Sequence, residues 1–156
     1  MAFYGASPII FDGSGVSNVT ATNSVELGTR VVYAGAEYVY VYNAGNSQIS
    51  KGQGAVLSGV SGYSVTVSSV SPDAFLGVCK HSTLTTGTYG WLLTRGYGYL
   101  AAPANTGLAA GSMAAAGSDG VFTPATFGTG FGALISARVV VATASAGVAE
   151  GFIKCL

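Results

Sequence analysis

The feature that most constrains this chain is a run of five residues. Within residues 29–43, TRVVYAGAEYVYVYN, the second half alternates Tyr38, Tyr40 and Tyr42 with Val39 and Val41. Successive side chains along a β-strand point to opposite faces. The run is therefore a strand with one aromatic and one aliphatic face, and neither face is polar. An antiparallel sheet that keeps one side in water carries polar residues on that side. Both sides of this strand must be covered, by a second sheet, by another part of the chain or by another copy of the protein.

The rest of the chain repeats the strand theme. Residues 31–33 and 38–42 bracket a short Gly-containing loop and predict a hairpin. Short strands are predicted at 55–57, 64–69 and 74–80, where the central Gly77 suggests a bulge or a close approach of two backbones. A second aromatic run follows at 89–100, YGWLLTRGYGYL. Tyr89, Trp91, Leu93, Tyr97 and Tyr99 share one parity with Arg95; Gly90, Gly96 and Gly98 fall on the other. Large rings on one face and missing side chains on the other imply a strand pair, or one long bent strand, pressed against neighbouring backbone. Further strands are predicted at 112–116, 121–123, 133–143 and 148–155. No segment carries apolar residues at helical spacing over three turns; the Ala-rich 108–116 is interrupted by Gly111. Many short strands with turn signals every eight to twelve residues or so predict an all-β fold, a compact antiparallel β-barrel or β-tulip-like sandwich. Residues 25–156 would form that domain. Residues 1–24 are rich in Ser, Thr, Asn and Gly, with two apolar clusters, Phe3–Tyr4 and Ile9–Ile10–Phe11. They suit either an extended arm lying on another surface or a frayed terminus with one strand.

Charge narrows the function. Asp, Glu, Lys and Arg make up 8% of the 156 residues, six of each sign, where a soluble domain averages about 25%. Small monomers usually keep a net charge and interspersed ions at the surface. A chain this neutral is expected to hide surface in an assembly. The cations are scattered rather than clustered in sequence, which speaks against a nucleic-acid partner and a polybasic membrane surface. The longest uncharged stretch, 96–118, is broken by Pro103, Asn105 and several glycines, unlike the run of about 20 apolar residues of a spanning helix. The first residues lack the charged start and apolar run of a secretory signal, so synthesis in a cytosol is expected.

No constellation of catalytic or metal-binding residues emerges, so neither an enzyme, a metal nor a cofactor is expected. His81, the single histidine, lies in a Ser/Thr loop with no cysteine or carboxylate at ligand or triad spacing and reads as a solvated loop residue. Gly52-Gln53-Gly54 and Gly96-Tyr97-Gly98 complete no phosphate-loop pattern. Cys79 and Cys155 lack metal-ligand spacing; buried thiols are expected, and a pairing would need neighbouring strands. The aromatic rows can be core, a subunit interface or a flat carbohydrate platform. Tyr and Trp are enriched at interfaces because they bring large, rigid contact area. Tyr38, Tyr40 and Tyr42, or else Trp91, Tyr97 and Tyr99, are the expected lining of an oligomer contact.

Several of these stretches have a familiar order. Leu27-Gly28-Thr29-Arg30, Glu37-Tyr38-Val39-Tyr40-Val41, ISKGQG at 49–54, Phe75-Leu76-Gly77-Val78 and GTYGW at 87–91 follow one another as in small phage head proteins. YGWLLTRG at 89–96 is similar to their "YGWvqtyG" strand. Ala109 to Met113, followed by Asp119-Gly120-Val121, is similar to their "aaGd.l…dGvv" segment. From about Leu27 to Leu156 the chain thus resembles the capsid decoration (cement) proteins of tailed bacteriophages, although it is more neutral and richer in Gly and Ala than many of them. The resemblance implies a β-barrel or β-tulip domain on the outside of an expanded shell, made in the host cytoplasm and carried on the virion exterior. It implies homo-oligomers, typically trimers, that clamp neighbouring major capsid protein subunits. It also implies a shell-bound N-terminal arm, here with Phe3, Tyr4, Ile9, Ile10 and Phe11 as the touching residues. The rival expectations are a head-fibre or tail structural component, and a carbohydrate-binding β-module that uses an exposed aromatic row.

Overall fold

The computed structural model describes residues 15–59, 62–68, 75–80, 83–104, 106–125, 137–143 and 147–154. Phe3, Tyr4, Ile9, Ile10, Phe11, His81 and Cys155 lie outside the described residues. Within them the protein is all β: β1 Arg30–Tyr33, β2 Ala36–Asn43, β3 Gly54–Leu57, β4 Ser64–Val67, β5 Phe75–Val78, β6 Tyr89–Ala102, β7 Met113–Ala116, β8 Phe122–Pro124, β9 Ala137–Val141 and β10 Gly147–Lys154. The only helical elements among the described residues are two short 3-10 turns, Gly15–Ser17 and Ser118–Gly120.

The strands run in the order β1-β2-β4-β3-β5-β6-β10-β9-β7-β8, and an extra pairing of β2 with β6 closes β2, β4, β3, β5 and β6 into a five-stranded barrel. Every pairing in the ring is antiparallel except β2 with β4, which is parallel and matches Tyr42 to Ser64 and Asn43 to Val65. The barrel is therefore not purely antiparallel as expected. The β1–β2 hairpin turns tighter than the sequence suggests: Tyr33 faces Ala36 across the two-residue loop Ala34-Gly35, with φ of 48° and 75°. Positive φ at both central residues is the signature of a type I′ turn, whose twist matches that of the flanking strands.

Two apolar layers follow. The barrel interior takes the aliphatic face of β2: Val39 and Val41 join Ala55 of β3, Val65 of β4, Leu92 of β6 and Cys79 just after β5. Asn43 plugs one end, fully buried, its Nδ2 donating to the carbonyls of Ser47 (3.0 Å) and Leu84 (2.9 Å) while Oδ1 accepts from Gly45 N (3.0 Å). All three bonds are needed, because an unpaired buried amide costs roughly 1–3 kcal/mol. The second layer lies outside the barrel wall. Tyr38, Tyr40, Trp91 and Leu93 pack there against Leu100, Ile153, Val139 and Phe122.

That arrangement answers the question posed by the alternating run. The cover over the aromatic face is the chain itself. Strands β10, β9, β7 and β8 extend from the second half of β6 as an outer sheet, and Phe122 on β8 meets Phe75 on β5 edge-on at 5.8 Å. Residues 15–29 close the remaining side. Val16 is buried in the same layer, Thr20 bridges to Tyr89, and the Tyr40 hydroxyl meets Ser24 Oγ at 3.1 Å and Thr20 Oγ1 at 3.3 Å. Residues 15–24 of the expected arm are thus packed on their own barrel.

Strand β6 is one continuous strand of 14 residues, and it is bent. Its pairing with β2 runs Tyr89 to Leu93 opposite Tyr42 to Tyr38, then skips Thr94 so that Arg95 faces Glu37. The skipped residue is a β-bulge, which reverses the parity of everything beyond it. Thr94 Oγ1 donates to the Glu37 carbonyl at 3.1 Å, and Gly96 takes φ +125° where a Cβ would come within 3.0 Å of the Ala36 backbone. Before the bulge, odd residues (Trp91, Leu93) face the layer between barrel and outer sheet. After it, even residues do (Gly98, Leu100, Ala102).

Candidate functional site

The bulge splits the second aromatic row, and that decides which rings reach solvent. Trp91 is 8% exposed, with its ring 5.0 Å from Tyr40; Tyr38 and Tyr40 are buried as well. These three belong to the core, and Trp91 is in no position to stack on a sugar. Tyr42 is half-buried against Tyr89, ring centroids 4.8 Å apart. Tyr97 and Tyr99 lie past the bulge and point away from the core, on the outward face of the outer sheet.

The register across that sheet builds the face. Tyr97 of β6 is opposite Phe152 of β10, Phe152 is opposite Arg138 of β9, and Arg138 is opposite Met113 of β7. Directly paired residues share a face, so these four side chains form one row across four strands. The next row holds Tyr99, Glu150 and Val141; Ala101 with Val148 and Arg95 with Lys154 flank the two. Six of the seven large apolar side chains that stand exposed among the described residues, Tyr97, Met113, Val140, Val141, Val148 and Phe152, sit on this outer sheet. Phe152 is the most open of these at 56%. Single exposed apolar residues need no explanation, but a contiguous set marks a surface used for contact.

Its polar groups are specific. The Tyr97 hydroxyl donates to Glu150 Oε2, a bond that holds the phenol above its ordinary pKa. Tyr97 and Phe152 meet edge to face, centroids 5.5 Å apart and planes at 71°; they do not form the flat platform of a sugar subsite. Lys51 Nζ sits 3.8 Å above the Tyr99 ring, a cation–π contact. Arg95 pairs with Glu37 at 3.5 Å. Lys51 is placed by its loop: Gly52, at φ +84°, lets the loop pass so close that Ala101 N donates to the Gly52 carbonyl at 2.8 Å.

Among the described residues no group of three or more His, Cys, Asp and Glu side chains could hold a metal ion, and no helix is long and apolar enough to cross a membrane. Cys79 carries a buried thiol whose pKa burial pushes up to about 11, away from a reactive thiolate. The sequence reading missed Phe152, Arg138, Met113 and Val148. Their grouping depends on long-range register, though the period-two pattern of 148–154 carries a local hint of an outward face.

No protein-family model matches the chain, and no curated protein does. Among solved structures it is similar to the head fiber gp8.5 N base of bacteriophage phi29, at a TM-score of 0.50 and 11% sequence identity. The match covers 75% of this chain and 92% of that one. At so low an identity, what the two share is the fold, the all-β architecture described above.

Proposed function

We propose that this chain is a structural, non-enzymatic protein of a bacteriophage particle, bound to the outside of the head. The fold likeness to a head-fibre base, spanning nearly all of that base, is the observation that carries the reading. The resemblance of residues 27–156 to decoration proteins points to the same place. In this reading the protein docks on major capsid protein subunits as a homo-oligomer, a trimer, and cements neighbouring subunits. Many modest contacts are then multiplied by symmetry and avidity. The low charge supports an assembled state. The same likeness favours a second reading, in which the chain is the base of a head fibre and anchors an appendage rather than clamping the shell.

The experiment uses heads of the phage that encodes the chain, assembled without it, mixed with the purified protein. Co-sedimentation is expected, and image reconstruction should place added density at three-fold positions of the shell. Density confined to the sites of a projecting fibre would select the second reading. Protein that stays in the supernatant as a monomer overturns both.

A further inference from the structure

Four of the chain's six cations border one surface. Arg95, Arg138 and Lys154 are exposed on the outward face of the outer sheet, and Lys51 lies over Tyr99 at its edge. Of the described acids only Glu37 and Glu150 are there, and both are engaged, one by Arg95 and the other by the Tyr97 hydroxyl. Among the described residues no carboxylate pairs with Arg138 or Lys154. In a molecule with no net charge, this is a local positive field around an exposed apolar centre.

We infer that this face, with Phe152 and Tyr97 at its centre and Arg138 and Lys154 beside them, docks on an acidic protein surface that presents its own apolar contact. Resting on the virion reading above, the partner is the acidic patch of a head subunit. The arrangement is that of a protein interface, an apolar centre with a charged rim that steers and orients. A second copy stacked through the same face is disfavoured, because equivalent cations would meet and like-charge juxtaposition is penalised. Nucleic acid fits poorly too. Phosphate binding draws on dense Lys and Arg, whereas Phe152 and Val141 in the two central rows, with Val148 flanking them, are groups that offer phosphate nothing.

The test measures binding of the full chain to heads assembled without it, by sedimentation. Phe152→Ser should weaken binding about 30-fold, as for a central anchor. The double reversal Arg138→Glu with Lys154→Glu should weaken it about tenfold or more at low salt, and the gap to wild type should narrow as ionic strength rises from about 0.05 to 0.5 M. Val32→Ser, at a residue more exposed than Phe152 but on β1, should bind as wild type. All of these side chains are exposed, so unfolding midpoints should match and separate lost docking from lost folding. Variants that bind heads like wild type overturn this inference and leave the virion reading standing. So do variants whose only defect is in self-association measured by native mass, or in retention of double-stranded DNA. Wild type that fails to bind heads removes the virion reading and this inference together.

Discussion

The bulge at Thr94 makes a prediction that a regular strand would forbid. Leu93 and Gly98 are five residues apart on β6, so on an unbroken strand they would face opposite sides. Here a Cβ built on Gly98 would lie 2.4 Å from Leu93 Cδ2 and 2.9 Å from Ile153 Cδ1. Gly98→Ala alone must push those methyl groups aside, an overpacking cost of about 1–3 kcal/mol. Leu93→Ala alone empties a fully buried site at a cost of about 2–5 kcal/mol. In the double variant the new methyl group enters the space that Leu93 leaves. It should then be less destabilised than the sum of the singles by about 1–2 kcal/mol, within the range for residues in contact. The assay is equilibrium denaturation followed by the fluorescence of Trp91, the single tryptophan, at fixed protein concentration so that any assembly contributes equally. Additivity within about 0.5 kcal/mol would place the two residues on different faces and refute the bulge and everything derived from it, the outward position of Tyr97 included.

Three further outcomes are expected. Ala34→Asn should stabilise the protein by about 0.5–1 kcal/mol, because Ala34 holds φ 48° in an exposed type I′ turn that Asn-Gly fits with less strain; thermal unfolding reads it, and a lowered midpoint would contradict the turn. Gly77→Ala should destabilise by about 2 kcal/mol or more, since its Cβ would sit 2.7 Å from the backbone oxygen of Leu93, where β5 and β6 cannot separate without opening the barrel. Cys79 supplies a pH dependence. Its thiol has a pKa raised from 9.0 to about 11 in the folded state, so above pH 9 the unfolded chain loses a proton that the native state keeps. Stability is then whole below pH 9 and falls as pH rises toward 11, by about 2–3 kcal/mol more than in Cys79→Ala. Parallel urea-denaturation curves for the two proteins across that window would count against the burial of this thiol.

What the sequence determined by itself is the set of strands and the two-faced character of β2. Both are local. Period-two alternation over five residues is visible without any partner, and Gly77 announced a close backbone approach that the barrel uses between β5 and β6. The all-β class followed from the absence of helical periodicity and the regular spacing of turns. What covers the aromatic side of β2 was open, because tyrosine faces look alike whether they meet a second sheet, an arm or another molecule. The tertiary structure decided it: the outer sheet and residues 15–29 lie on Tyr38 and Tyr40. The aromatic row of 89–100 misled for a related reason. Parity is conserved only along an unbroken strand, and the bulge at Thr94 exists through its register with Glu37, a residue 57 positions away. That one skipped residue sends Trp91 inward and Tyr97 outward. The cations show the same dependence. Arg95, Arg138 and Lys154 are scattered in the chain and neighbours on one face, because strand pairing rather than sequence distance sets which side chains share a surface.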